Sequence, residues 1–395
     1  MQVHLKVVKG PHLGAEFTFD QYASFVVGRH KRTQFRLSLK DPYLSRLHFY
    51  LELKPPKCML VDLASSNHTY LNGKRVDCAV MSDGDLIRAG ETTLQVSIDP
   101  GEIPALPADD RESTPTIPGY RVERILGSGA TGTVYLAVSE ADQARVALKL
   151  ITSAIANCAR SVGKFERQAD ILRQLHHPNI VTLFESGKVY DRLYLVTEYV
   201  PGPDAHGLLE KEGGGLPIPR AVDLMSQTLV ALAHAHKKGV VHRDVKAGNL
   251  LVAKIGGRDV VKLADFGLAR IYHESSHSGL TLERDVPGTV GSLPPEQITD
   301  GRNVDPRADL YGVGATLYSL LTAQHPYDFP DRPEECFAMI LKQDPRPIRR
   351  LRPEIPERLA KVIHRALARD PDDRFPDADA MRKALTPWAE KPVPV

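Results

Sequence analysis

The stretch VVHRDVKAGNLLV, residues 240–252, sets His242, Arg243, Asp244, Lys246 and Asn249 between apolar flanks. A solvated loop has no need of flanking Val and Leu, and polar groups held against a core must be hydrogen-bonded or put to use. Three further stretches carry chemistry that could combine with it. LGSGATGTVYLA holds Gly127, Gly129 and Gly132 between two apparent strands, where backbone N–H groups can approach phosphate oxygens. A dinucleotide-binding turn would open a helix directly after such glycines. Here TVYLAV continues as a strand, so the loop is expected to be a β-hairpin. VALKL places Lys149 on a strand, and LADFGLAR supplies Asp265. Taken alone, the glycine loop is equally an ordinary turn. The ordered succession of glycines, lysine, polar loop and aspartate is hard to obtain by chance.

The elements that must position these groups follow from the pattern. Strand signals come first, from YRVERILG to LYLVTEYV, and helical patterns such as AVDLMSQTLVALAHAHKKG follow. That order predicts a unit over 119–387 with a small β-rich lobe, about 119–200, and a larger helical lobe, about 201–387. Before it, PGEIPALPADDRESTPTIP (100–118) has recurrent Pro and no sustained period, as expected of a semi-extended linker. Residues 1–99 hold β-favouring runs, VHLKVV, FTFD, SFVVGR, HFYLEL, CMLVDL and TLQVSI, separated by turn signals such as LNGK and MSDGD. A multidomain chain is expected, an all-β sandwich followed by a bilobal α+β unit. The terminal PWAEKPVPV reads as a frayed tail.

Composition excludes other classes. With 395 residues, 42% hydrophobic and 25% charged, the chain is that of an ordinary globular protein. A net charge of +2 and the short basic runs RHKR (29–32) and RPIRRLRP (346–353) give no expectation of a nucleic-acid partner. Cys58, Cys78, Cys158 and Cys336 are too scattered for a disulfide framework or a thiolate zinc site. The start MQVHLKVVKG lacks the features of a signal peptide, and LYGVGATLYSLLTA (310–323) falls short of the roughly 20 apolar residues of a bilayer span. A cytoplasmic location without a membrane partner is expected.

Residues 120 to about 385 resemble the protein kinases in this succession of motifs. The resemblance implies ATP and Mg²⁺, or Mn²⁺ in its place, and protein Ser/Thr hydroxyls as substrates. It casts Asp244 as the residue that orients the hydroxyl and accepts its proton, Lys246 as the counter-charge to the transferred phosphoryl group, and Lys149 as the holder of the α and β phosphates. Asn249 and Asp265 become the metal ligands, and their hard oxygens suit Mg²⁺. Nucleotide contacts are implied for Leu126, Gly127, Ser128, Gly129, Gly132 and Lys149. Val134 and Ala147 are implied above the base and Leu251 below it, with Glu198 and Val200 in the lobe connector and Asp204 at the ribose. Lys246 and Thr289 resemble the Ser/Thr-specific branch. The segment between Asp265 and Glu296 carries Ser275, Ser276, Ser278 and Thr281, and regulation by phosphorylation at Thr281 or Thr289 is expected, with Arg243 to pair the phosphate. Glu296 with Arg374 is implied as a buried ion pair, and Asp309 as a brace for the catalytic loop. His176, His177, His234 and His236 read as structural.

One position departs from the family pattern. In FERQADILRQLHHPNIV the usual helix-borne Glu is replaced by Gln168, which can accept a hydrogen bond from Lys149 but carries no charge. Glu166 lies about 200° round the helix by its 3.6-residue repeat. A phosphopeptide-binding scaffold with an impaired, pseudokinase nucleotide-binding domain is therefore the alternative to an active enzyme.

SFVVGR, SRLH and DLASSNHTYLNG resemble the forkhead-associated (FHA), phosphothreonine-binding domain over roughly 3–98. The resemblance implies phosphopeptide contacts from Arg29, Ser45, Arg46, Ser66 and Asn67, each on a loop between strands, with His48 as an internal buttress. His68 stands where the family commonly has Gly. A reader of phosphothreonine joined to a writer of it suggests self-association through the chain's own phosphorylated segments, with Thr114 and Thr116 as candidates.

Overall fold

The computed structural model describes residues 2–19, 23–29, 35–36, 41–54, 57–63, 65–99, 117–129, 132–151, 159–189, 192–266, 290–299, 304–330 and 333–389. Thr114, Thr116, Cys158, Ser275, Ser276, Ser278, Thr281 and Thr289 lie outside the described residues.

The first unit is a sandwich of two sheets. One has six strands in the order Glu16–Phe19, Gln2–Lys9, Thr92–Asp99, Leu86–Ala89, Thr69–Leu71 and Lys74–Val76. The other has five, in the order Phe35–Arg36, Ala23–Gly28, Phe49–Lys54, Lys57–Asp62 and Cys78–Met81. Alternation along the first strand buries Val3, Leu5 and Val7 against Phe25, Val27, Phe49, Leu51, Leu53 and Leu60 of the facing sheet.

The outer face of the five-stranded sheet is buried as well. Val26 pairs with Tyr50, Tyr50 with Val61 and Val61 with Cys78, so one row of side chains crosses four strands. With Leu63, this row packs on Val290, Leu293, Ile298 and Tyr327, and on Cys336, Phe337, Ile340 and Leu341 of the helix Pro333–Lys342. The rings of Tyr50 and Phe337 lie 5.7 Å apart.

The second unit begins with an antiparallel sheet in the order Tyr120–Gly129, Gly132–Ser139, Arg145–Ile151, Arg192–Glu198 and Leu183–Val189. The helix Ala159–Arg173 covers one face of it with Phe165 and Ala169 against Ile151, Leu183, Leu193 and Leu195. The helical lobe is built round Arg307–Thr322, which is apolar on nearly every side and buried accordingly. Ile218–Lys237, Glu357–Ala366 and Ala378–Leu385 pack about it. Gly312 is needed there, because a Cβ would stand 2.9 Å from the Val245 side chain behind the catalytic loop.

Only one of the two apolar flanks of that loop is a strand. Leu250–Ile255 is a strand, paired with Arg258–Leu263. Val240 and Val241 are not in a strand. No neighbouring strand pairs with them among the described residues; the Val240 N–H instead bonds the Ala235 carbonyl at 3.0 Å, closing the end of the helix Ile218–Lys237. No described helix is long and apolar enough to cross a membrane.

Candidate active site and phosphate-reading loops

Register places the nucleotide-facing candidates of the small lobe on one face. Val134 lies opposite Lys149, Ala147 opposite Thr197 and Lys149 opposite Leu195, and the two-residue period puts all five side chains on the same side of the sheet. The glycine hairpin closes with Gly129 opposite Gly132. Gly132 has φ 138°, and a Cβ would lie 1.9 Å from the Leu150 carbonyl oxygen, so only glycine fits. Gly127 and Gly129 face open space, where only something approaching from outside would meet a Cβ. Leu126 and Ser128 are exposed beside them.

Lys149 is 6% exposed, and its Nζ donates to Asp265 Oδ2 at 2.7 Å. Burial acts to raise the Asp265 pKa, but the Lys149 ammonium outweighs it and the carboxyl lies below the ordinary aspartate range. The Gln168 side chain is buried on its helix and makes no hydrogen bond to Lys149. The expected helix-borne partner is thus replaced by Asp265 itself. Glu166 is exposed and takes no part.

In the catalytic loop the Asn249 side-chain amide donates to the Asp244 carbonyl at 2.7 Å and to Asp244 Oδ2 at 3.1 Å, and Lys246 Nζ lies 3.1 Å from the same oxygen. Two bonds staple this loop to the Asp265 segment. The Ala264 N–H meets the Asn249 carbonyl at 2.9 Å, and His242 Nε2 donates to the Ala264 carbonyl at 2.8 Å. The four side chains of Lys149, Asp244, Asn249 and Asp265, distant in sequence, therefore converge.

Two residues at this junction have left-handed backbones, Arg243 at φ 71° and Asp265 at φ 61°. Such strain persists only where neighbours over-determine it. The Arg243 N–H bonds Asp309 Oδ1 at 2.7 Å, and its carbonyl accepts from Gln297 Nε2 at 3.0 Å. Asp309 Oδ2 also accepts from the His242 N–H at 2.8 Å and from His236 Nε2 at 2.7 Å. Burial works against the Asp309 charge, yet His236 and these donors hold its pKa below the usual value. Arg374 meets both Glu296 oxygens at 2.7 Å with its side chain 0% exposed, as the expected ion pair requires.

The connector between lobes lies against the strand Leu250–Ile255. Asp204 bridges to Leu251, and Gly202, at φ 148°, sits where a Cβ would be 2.1 Å from the Val252 carbonyl. The Asp204 carboxylate also caps the helix Ala205–Glu212 through the Gly207 N–H at 2.7 Å. The Glu198 side chain pairs with Lys262 at 2.7 Å, and Val200 is buried.

On the first unit, Arg29, Ser45, Arg46, Ser66 and Asn67 gather on three neighbouring loops. The Arg29 N–H bonds the Ser45 carbonyl at 3.1 Å, the Ser66 N–H bonds Ser45 Oγ at 3.0 Å, and Asn67 Nδ2 donates to the Tyr43 carbonyl at 2.7 Å. His48 is fully buried; its Nδ1 accepts the Ser45 N–H at 2.9 Å, and Nε2 donates to the His68 carbonyl at 3.3 Å. Burial pushes the His48 pKa down. His68 adopts φ 57°, a conformation that glycine enters freely, so the departure from Gly preserves the turn at some strain.

Sequence reasoning missed Gln297, Asp41 and Asp62. The buried Asp41 carboxylate accepts from the Tyr43, Glu91 and Thr92 N–H groups and tethers the loop that carries Ser45. Asp62 accepts from Ser65 and Thr69 and shapes the turn before Ser66. Single polar residues in loops carry no periodic signal that would reveal such roles.

A family model for the protein kinase domain matches residues 120–386, and one for the FHA domain matches 25–90. The chain belongs to the protein kinase family and carries an FHA domain ahead of the kinase domain. Membership implies use of ATP and a divalent metal ion. The chain is 36% identical over 272 residues to the serine/threonine-protein kinase pkn3 of Myxococcus xanthus, covering 67% of this chain and 49% of that protein. It is 32% identical over 262 residues to the serine/threonine-protein kinase PrkC of Bacillus subtilis, covering 66% and 39%. The chain thus spans half or less of the length of these curated relatives. Among solved structures, the kinase domain of Mycobacterium tuberculosis PknI matches with a TM-score of 0.55 at 29% identity, over 69% of this chain and 98% of that one. These relatives are kinases, and the comparisons give the scaffold alternative no support.

Proposed function

We propose that the protein transfers the γ-phosphoryl group of ATP to Ser or Thr hydroxyls of protein substrates and that its FHA domain binds phosphothreonine segments. The observation that carries this reading is the convergence of an Asp244 carboxylate, oriented by Lys246 and Asn249, with the Lys149–Asp265 pair. The substrate hydroxyl oxygen forms a bond to the γ-phosphorus as the bond to the bridging oxygen breaks. ADP departs with that electron pair, and the hydroxyl proton passes to Asp244. Lys246 offsets charge on the transferred oxygens. Lys149 has three donors and uses one on Asp265, which leaves two for phosphate oxygens.

The donor set suits Mg²⁺. Asn249 directs its amide N–H groups to Asp244 and keeps Oδ1 as a hard acceptor beside the ionised Asp265. Bound there, a divalent ion supplies charge neutralisation across the phosphates. Val134 and Ala147 cover the base and Leu251 underlies it. Because the Glu198 N–H is bonded to the Thr182 carbonyl at 2.9 Å, Glu198 offers the base its own carbonyl, and Val200 its N–H. In the FHA domain, Ser45 Oγ accepts from Ser66 and so keeps its proton for a phosphate oxygen, beside the forks of Arg29 and Arg46.

Radiolabelled ATP and a mixed Ser/Thr peptide substrate test this reading with the full chain. Incorporation by the wild type should fall at least about 100-fold in Asp244→Asn, the scale of a lost proton acceptor. Equal incorporation by both proteins, or none by either with Mg²⁺ or Mn²⁺ present, refutes it.

A further inference from the structure

The FHA domain is seated on the kinase domain and is not merely strung to it. Its outer row, Val26, Tyr50 and Val61, is at most 3% exposed against the segment Val290–Thr299 and the helix Pro333–Lys342. The phosphate-reading groups remain outside this contact: Arg29, Arg46, Ser66 and Asn67 are exposed. They nevertheless border it. Leu47, next to Arg46, packs into the shared cluster, and so does Leu63, which precedes the turn carrying Ser66. On the kinase side, Ile298 in that cluster adjoins Gln297, whose side chain holds the carbonyl of Arg243, the residue before Asp244. A short run of packed and bonded residues thus connects the phosphate-reading loops with the catalytic loop.

We infer that this docking makes the enzyme selective for substrates that already carry a phosphothreonine at a set spacing from the hydroxyl to be phosphorylated. The inference rests on the kinase reading above. Were residues 100–118 the sole connection, the reader would range over roughly 25 Å and would favour primed substrates over a broad span of spacings, declining slowly with length. A docked reader holds the phosphothreonine at a fixed place relative to Asp244. Substrates whose two sites are too close cannot reach both, and those too far apart lose the advantage of tethering.

The test uses the full chain and paired peptides, each with an acceptor Ser separated by Gly-Ser spacers of about 5 to 40 residues from either phosphothreonine or plain Thr. The ratio of kcat/KM within each pair cancels changes in basal activity. The wild type should show a gain of at least about 10-fold confined to one window of spacing. Arg46→Ala should abolish the gain at every spacing. Tyr50→Asp should keep a gain but spread it across spacings, and Phe337→Asp, which leaves the FHA sequence intact, should do the same if Tyr50→Asp fails to bind phosphothreonine peptide. A wild type that phosphorylates plain peptides with no gain at any spacing overturns the inference and leaves the kinase reading standing. A broad wild-type profile matching that of Phe337→Asp also overturns it. Failure to phosphorylate any peptide removes both.

Discussion

Asp309→Asn separates the role of a brace from that of a participant. The Asp309 side chain is fully buried and accepts three bonds, from the His242 and Arg243 N–H groups and from His236. Asn keeps the shape but turns one acceptor into a donor. Its least damaging orientation retains the oxygen that serves His242 and His236 and sets the amide nitrogen against the Arg243 N–H. That arrangement loses a bond to a charged group, about 1.5–3 kcal/mol, and leaves a buried donor unsatisfied, about 1–3 kcal/mol. A cost of about 3 kcal/mol should lower the melting temperature by roughly 6–12 °C in a domain of this size. The Arg243 backbone, released from its N–H anchor at φ 71°, should relax and carry Asp244 with it. Misplacement on the scale of 1 Å costs roughly 100-fold in turnover. The pH dependence has a definite sign. Because the folded pKa of Asp309 is depressed, its contribution is complete above the unfolded aspartate value of about 3.9 and is lost as pH falls through the lower folded value. The stability gap between the two proteins should therefore close in acid. Urea titration and peptide phosphorylation measure both effects; a melting temperature within 2 °C of wild type together with unchanged turnover would refute the reasoning.

Gln168→Glu places a carboxylate at a buried helix position facing the sheet that bears Lys149, and turnover should rise about 3- to 10-fold as Lys149 gains a second charged partner. No change, or a loss, in single-turnover phosphorylation counts against a weakened lysine clamp. Ser45→Ala removes a hydroxyl donor to a charged phosphate, so phosphothreonine-peptide affinity should drop about 10-fold or more in fluorescence polarisation; an unaltered affinity excludes Ser45 from the site. His48 has a depressed pKa, chiefly through burial, so its contribution to stability is complete above the unfolded histidine value of about 6.5 and declines as pH falls below it. Between pH 7.5 and 5.5, wild type should lose more urea resistance than His48→Gln, whose side chain can still accept from Ser45 and donate to His68. Equal losses would show that His48 does not set the dependence.

The residues that could be read from sequence are those whose chemistry conflicts with their surroundings. Lys149 in VALKL and the charged run within VVHRDVKAGNLLV stand out because burial of charge needs a reason, and the glycines stand out because TVYLAV continues as a strand. What holds these groups was less legible. Gln297 acts through one hydrogen bond to the Arg243 carbonyl, and Val240–Val241 carries strand-like composition without a partner strand. Both outcomes are decided by tertiary neighbours and leave no local pattern. The Lys149–Asp265 pair is intermediate, since both residues were identifiable but their direct contact, made across 116 positions, leaves no local pattern.

The docking of the FHA domain did leave a trace. A strand with one wet face alternates, as VHLKVV does with Val3, Leu5 and Val7 inside. SFVV, HFYL and MLV do not alternate; they are continuous apolar runs, the signature of strands covered on both sides. A two-layer sandwich supplies cover for one side only. The second cover therefore had to come from elsewhere in the assembly, and in this chain the amphipathic helix Pro333–Lys342 supplies it, with Cys336, Phe337, Ile340 and Leu341 turned to the sheet. Exposing that row in an isolated FHA domain would present a contiguous apolar patch of the kind soluble monomers avoid. The same apolar runs that make the sheet dependent on its neighbour also hold the phosphate-reading loops at the border of its contact with the kinase domain, so domain stability and the placement of those loops share one surface.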